Sequence, residues 1–271
     1  MKPQDLKLIV QEKYSKIAQK SWIQNTSGCC GTSGCCDTSG AEFSMIGNEY
    51  SHMEGYLPDA DLNLGCGVPT QFAGIKEGDA VLDLGSGAGN DSFVVRAIVG
   101  EKGLVTGLDF TEAMVAKARI NNQKMGYSNV QFIQDDIEEM PLSNNTFDVI
   151  VSNCVLNLVP NKAKAFTNMF RVLKPGGHFC ISDVVIKGTL PEKLRKDADM
   201  YVGCVAGALN IDEYLDIISA SGFENITVHR QHETPVPPKI LSNYLNPKEI
   251  KEYKNGINGI FSITVTAFKP V

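Results

Sequence analysis

The sequence predicts an α/β fold: a mainly parallel, seven-stranded sheet with helices on both faces, extended by amino-terminal and carboxyl-terminal additions. Three observations carry this expectation. From Lys76 onward, short apolar runs alternate with helical stretches, the pattern of a parallel sheet buried on both sides. The first run, Val81-Leu82-Asp83-Leu84, passes directly into Gly85-Ser86-Gly87-Ala88-Gly89, a turn that allows close backbone approach to a ligand and opens a helix. Two further strand-like runs near the carboxyl end are separated by a mostly polar stretch far too long for a hairpin turn.

Leu6, Ile9, Val10, Tyr14 and Ile17 recur at helical spacing and predict an amphipathic first helix. Residues 27–40, SGCCGTSGCCDTSG, have no apolar face to bury and predict a flexible loop. Residues 41–75 predict a loop followed by a short helix, because Gly65-Cys66-Gly67-Val68-Pro69 cannot continue a helix. Strands are expected at 80–84, 104–109, 130–134, 147–153 and 177–185, with helices near 91–99, 112–125 and 161–173 between them. Leu173-Lys174-Pro175-Gly176-Gly177 predicts the turn before the fifth strand. Helices near 192–200 and 211–221 and strands at 225–230 and 260–268 complete the chain. The organisation expected is 1–75 as an amino-terminal segment, 76–186 as the core, and 187–271 as a carboxyl-terminal segment with the last strands.

Composition narrows the function. A chain of 271 residues, 43% hydrophobic and 21% charged, can bury a sizeable core. There is no run of about 18 apolar residues to cross a membrane. The amino terminus lacks a basic start followed by an apolar stretch, so a cytoplasmic protein is expected. A net charge of −6 with both signs interspersed argues against nucleic-acid and membrane partners, which call for a basic patch. Eight cysteines in a reducing compartment read as core fillers, metal ligands or redox groups rather than a disulfide framework.

The glycine turn reads Gly-x-Gly-x-Gly, not the Gly-x-Gly-x-x-Gly of dinucleotide sites, which argues against a nicotinamide cofactor. Asp109 ends the second strand, where a carboxylate can accept both ribose hydroxyls. Asp135-Asp136-Ile137 ends the third, where a carboxylate and a backbone amide can read an adenine edge. The bland alternative for these acids is a helix cap or a solvated loop end. Over roughly residues 76–186 the chain resembles the class I S-adenosylmethionine-dependent methyltransferases, whose core is Rossmann-like. The resemblance implies that Gly85, Ser86 and Gly87 cradle the methionine part, Asp109 the ribose, and Asp136 with Ile137 the adenine. Asp83, Phe110 and Asn153 complete the cofactor-binding set that it implies.

Three cysteines stand at positions where a thiol can reach a ligand. Cys66 lies between two glycines, Cys154 directly follows the fourth strand, and Cys204 lies in Gly203-Cys204-Val205-Ala206-Gly207. Ligands of open α/β sheets bind beyond the carboxyl ends of the strands, so Cys154 is expected beside the cofactor. Cys180, inside the fifth strand, reads as a buried filler. The four histidines show no ligand spacing and read as surface or satisfied core residues. If Cys66 and Cys204 fold over the same edge as Cys154, three thiols converge. Three thiolates without a fourth ligand suit a soft acceptor with three bonds and a lone pair, such as trivalent arsenic, better than zinc.

Along nearly its whole length the chain resembles the arsenite methyltransferases. The resembling elements are the Glu12-Lys13-Tyr14 helix, the paired cysteines, Leu64-Gly65-Cys66-Gly67, the turn at 83–89, residues 152–158, and residues 201–208. Two positions depart from the family pattern: Val68 stands where Asn is common, and Asn90 where a large apolar residue is common. The resemblance implies methylation of arsenite and then methylarsenite, with arsenic on Cys66, Cys154 and Cys204. It implies a further cysteine from the amino-terminal loop, for which Cys29, Cys30, Cys35 and Cys36 are all candidates. It also implies a thiol reductant, thioredoxin or glutathione, as co-substrate, and a role in arsenic detoxification. Two alternatives stand beside this reading. A methyltransferase for a small organic acceptor leaves the three cysteines unexplained. A non-enzymatic protein sequestering a soft metal leaves Asp83, Asp109 and Asp136 unexplained.

Overall fold

The computed structural model describes residues 3–19, 50–188, 207–234, 238–255 and 259–271. Seven strands form one sheet: β1 (Ala80–Leu84), β2 (Leu104–Asp109), β3 (Val130–Gln134), β4 (Phe147–Asn153), β5 (Leu173–Lys187), β6 (Glu224–Glu233) and β7 (Gly259–Phe268). Their order across the sheet is β3-β2-β1-β4-β5-β7-β6. The first five are parallel; β7 runs antiparallel to both β5 and β6. The mainly parallel, seven-stranded α/β architecture expected from the sequence is therefore present.

Among the described residues the helices are α1 (Pro3–Gln19), α2 (Asn90–Val99), α3 (Glu112–Met125), α4 (Lys162–Val172), α5 (Ile211–Ala220), α6 (Pro238–Tyr244) and α7 (Pro247–Asn255). Among the described residues of 41–75 the expected short helix is a 3₁₀ turn at Pro69–Gln71, which Pro69 can start. The polar stretch between β6 and β7 contains α6 and α7. The helix expected near 192–200 and the loop at 27–40 lie outside the described residues.

One expectation needs correction. Residues 173–177 do not precede β5 as a separate turn; they belong to it. Leu173 pairs with Phe147, and the next residues in register are Val149 and His178, so 174–177 bulge out of the strand. Gly176, at φ +76°, makes the bend, and both carboxylate oxygens of Asp148 accept from Lys174 Nζ at 2.8 and 2.7 Å, tying the bulge to β4.

Two apolar layers sandwich the sheet, which is why β1 is buried on both faces. One contains Leu82, Leu84, Phe166, Met169, Phe179 and Tyr214; the other contains Val81, Phe93, Val95, Val105, Met114 and Phe132. Strand order reverses between β1 and β4, so the crevice at their carboxyl ends is where the topology favours a ligand.

Candidate active site

Gly85 turns the chain out of β1 at φ +70°, and its amide donates to Leu108 O at 2.7 Å. A Cβ there would lie 2.3 Å from a methyl of Val155, so only glycine fits. Gly87 has φ +52° and open space where a Cβ would stand. Gly89 caps α2 without a side-chain hydrogen bond, leaving the positive helix end facing the crevice. Ser86 Oγ and Asn90 Oδ1 are buried there with no hydrogen-bond partner among the described residues. A cradle of this kind, with two orphaned polar atoms, fits a polar ligand such as the methionine end of S-adenosylmethionine.

Carboxylates dominate the walls. Asp109 accepts from Thr111 N at 2.8 Å and Gly87 N at 3.0 Å, which fixes it at the end of β2. Asp83 accepts from Ser92 Oγ at 2.6 Å. Asp91 accepts from Tyr50 Oη at 2.6 Å and Asn153 Nδ2 at 3.2 Å. Burial pushes the Asp83 carboxyl well above its usual range, reinforced by the charges of Asp91 and Asp109. Burial likewise raises Asp91 to about 6, against the hydrogen bonds from Tyr50 and Asn153. Three carboxylates crowded into an apolar crevice favour a cationic ligand.

At the far end Asp136 Oδ2 accepts from Lys7 Nζ at 2.6 Å, and Glu138 takes the same ammonium at 2.6 Å. Burial lowers the Lys7 ammonium, but its hydrogen bonds to Asp136 and Glu138 outweigh that and raise it overall. Lys7, Val10 and Tyr14 bring α1 across this end, with Phe110 packed on Val10 and Ile137 in the wall. The predicted Asp83, Gly85, Ser86, Gly87, Asp109, Phe110, Asp136, Ile137 and Asn153 all line this one crevice.

Cys154 lines it too. Its backbone adopts φ +59°, unusual for a residue with a Cβ, and its amide donates to Ser182 O at 2.7 Å. Cys66 arrives from a distant loop. Its amide donates to Asn153 Oδ1 at 3.0 Å, and its carbonyl accepts from Ser262 Oγ at 2.6 Å. Neighbouring Gly67 has Ser182 Oγ 2.5 Å from where a Cβ would sit, so the loop packs directly on β5. The two sulfurs and a carboxylate oxygen of Asp183 lie within 4.8 Å of one another, all buried. Burial lifts the Asp183 carboxyl to about 7, against the Lys162 charge and hydrogen bonds from Val184 N, Tyr214 and Asn157. Cys204 and the loop cysteines Cys29, Cys30, Cys35 and Cys36 lie outside the described residues.

Cys180 is buried in the sheet, and burial pushes its thiol up to about 12. His178 contacts Ala73 O at 2.5 Å and His229 contacts Thr266 Oγ1 at 2.8 Å, as satisfied structural residues do. Sequence reasoning missed Tyr50, Asp91, Asp183, Tyr214 and Lys7. A charged residue inside the apolar run Cys180-Ile181-Ser182-Asp183-Val184-Val185 was the readable signal for Asp183. Nothing in local pattern marks Lys7.

A family model described as a methyltransferase domain matches residues 75–227. The arsenite methyltransferase of Halobacterium salinarum is 36% identical over 277 residues, covering 99% of this chain and 68% of that protein. The human arsenite methyltransferase is 32% identical, covering 95% of this chain and 65% of that one. The crystal structure of an arsenic(III) S-adenosylmethionine methyltransferase from Chlamydomonas reinhardtii superposes with a TM-score of 0.64 at 35% identity, covering 76% of this chain and 68% of that chain. The chain thus spans about two thirds of the length of these relatives. On sequence, fold and the crevice at the switch point together, it belongs to the arsenite methyltransferase family of S-adenosylmethionine-dependent class I methyltransferases.

Proposed function

We propose that this chain methylates trivalent arsenic, arsenite first and methylarsenite second, with the metalloid held by Cys66, Cys154 and Cys204. One observation carries the reading: Cys154 lines the crevice that the glycine turn and Asp109 also line, and the buried Cys66 sulfur lies within 4.8 Å of the Cys154 sulfur. S-adenosylmethionine, when bound, supplies a methyl group on a cationic sulfur. Gly85, Ser86 and Gly87 hold its methionine part, with Asp83 and Asn153 behind them. Asp109 and Phe110 hold the ribose, and Asp136 with Ile137 the adenine. Asp83, Asp91 and Asp109 supply the negative surroundings that a cation needs.

Arsenic(III) bonded to three sulfurs keeps a lone pair and has no proton to lose, so the chain needs no general base for attack. Its task is positioning, which can be worth on the order of 7–11 kcal/mol. Accepting a methyl cation raises arsenic formally from trivalent to pentavalent. Two thiolates that close to a disulfide return two electrons, and Cys29, Cys30, Cys35 and Cys36 are the candidates alongside the binding cysteines. A thioredoxin- or glutathione-type reductant then reopens the disulfide. The physiological role that follows is arsenic detoxification.

Incubation of the pure protein with methyl-labelled S-adenosylmethionine, glutathione and arsenite tests the reading; labelled methylarsenicals are the expected product. Bond counting sharpens it. Methylarsenite offers only two positions to sulfur, so Cys66→Ser should cripple methylation of arsenite while sparing that of methylarsenite. Cys154→Ser and Cys204→Ser should abolish both. Equal loss of both activities in Cys66→Ser, with cofactor binding intact, would overturn the assignment of Cys66.

A further inference from the structure

We propose that Asp183, held by Tyr214, is the oxygen-handling member of the arsenic pocket: it accepts the hydrogen of the one hydroxyl that arsenic(III) retains after Cys66 and Cys154 have bonded to it. The inference rests on the proposed thiol site and adds to it a group that selects hydroxylated arsenic.

Asp183 presents an oxygen within 4.8 Å of both sulfurs, on the strand next to the one that delivers Cys154. The two cysteines pack among Val184, Ile186, Ala208, Leu241 and Ile260, and Asp183 itself is 0% exposed, a position where a carboxylate is costly to bury. The chain nevertheless orients it from several sides. Tyr214 Oη donates to Oδ2 at 3.1 Å and Val184 N to Oδ1 at 3.0 Å, and the Asn157 backbone also hydrogen-bonds to it. Each carboxylate oxygen can accept more than one hydrogen bond, so acceptor capacity remains after Tyr214 and Val184 are served. Asn157 keeps both side-chain polar atoms buried without a hydrogen-bond partner among the described residues. This corner of the fold therefore carries more polar capacity than the described chain uses.

Arsenic(III) hydroxide meets that capacity. Each of the two thiols displaces one hydroxyl: an As–O bond breaks, an As–S bond forms, and the thiol proton leaves with the hydroxyl as water. Arsenic stays trivalent, bound to two sulfurs and one hydroxyl. That hydroxyl is enclosed by apolar side chains, and a buried donor without an acceptor is strongly disfavoured. Asp183 provides the acceptor until a third thiol displaces the hydroxyl as water. An organoarsenical with one carbon substituent has no hydroxyl left once two thiols are bonded, so Asp183 has nothing to accept from it.

The experiment exploits this difference. In the full chain carrying Cys204→Ser and serines for the four loop cysteines, Cys66 and Cys154 remain as the binding pair. Equilibrium dialysis measures the affinity for arsenite and for phenylarsine oxide, with and without Asp183→Leu. The leucine variant should bind arsenite ~10-fold or more weakly, the loss expected when a buried hydroxyl keeps no acceptor. Phenylarsine oxide affinity should change less than about twofold, as expected where the hydrogen bond is absent in both. S-adenosylhomocysteine binding reports that the fold is intact. Should the leucine variant fail that check, Asp183→Asn, which keeps the shape but replaces one acceptor oxygen with a donor, carries the comparison with the same selective loss expected. Equal weakening of both arsenicals, or no weakening of arsenite, would overturn the role of Asp183. Failure of phenylarsine oxide to bind the parent chain would instead overturn the thiol site beneath it.

Discussion

Asn153→Ala tests how the cofactor side and the thiol side of the crevice are joined. The Asn153 carbonyl accepts from Cys66 N at 3.0 Å. Its amide has two hydrogens to share among Gly67 O at 2.8 Å, Tyr50 Oη at 2.8 Å and Asp91 Oδ2 at 3.2 Å. Alanine thus removes three hydrogen bonds and strands their partners in a part of the fold where Cys66 is 0% and Tyr50 2% exposed. At roughly 1–3 kcal/mol for each buried group left unpaired, and with some relaxation, a loss of roughly 3–6 kcal/mol is expected. Urea denaturation measures it. The same change frees the loop that carries Cys66, so alkylation of that thiol, followed by mass spectrometry at Cys66 against Cys180, should accelerate at least ~10-fold through local opening. Cys180 is held by the sheet and should react only as global stability falls. A variant within about 1 kcal/mol of the parent, or one whose Cys66 and Cys180 accelerate together, would refute the idea that Asn153 pins the loop.

Two further outcomes can be checked directly. Gly85→Ala places a Cβ 2.3 Å from Val155 at positive φ, so it should cost about 1–2 kcal/mol for the backbone and about 1–3 kcal/mol for the clash. Val155→Ala in that background should restore only the second part, read from the urea midpoints of the four proteins in the cycle. Asp91 supplies a pH effect. Its folded pKa, about 6, exceeds its unfolded value, so the folded state binds the proton more tightly between the two. Stability from this group is full below pH ~4 and is lost as the pH rises through 6, by about 3 kcal/mol at most, since Asp91 borders an open crevice. Asp91→Asn should flatten that part of the stability–pH curve, and an unchanged curve would remove Asp91 as its source.

Much of this protein is written locally. The apolar runs of β1, β2 and β4 and the glycine turn are legible because a two-sided buried strand demands the former and a turn at positive φ favours glycine at Gly85. The position of Cys154 beyond β4 follows from topology, once the strands are known. Other features were decided only by tertiary contacts. Chain order would put β6 beside β5, yet β7 inserts between them, antiparallel to both, since strand periodicity encodes which faces are buried and not which neighbour buries them. Cys66 reaches Cys154 through Asn153, 87 residues away, and Ser262, 196 residues away. Lys7 finds Asp136 across 129 residues and occupies a carboxylate that the strand pattern alone leaves open. Asp183 gains its partners only when β4, β5 and α5 pack together. Local sequence sets backbone preference and burial, which are short-range quantities. The crevice and its thiols are assembled from groups far apart in the chain, and packing alone brings those groups within hydrogen-bond reach.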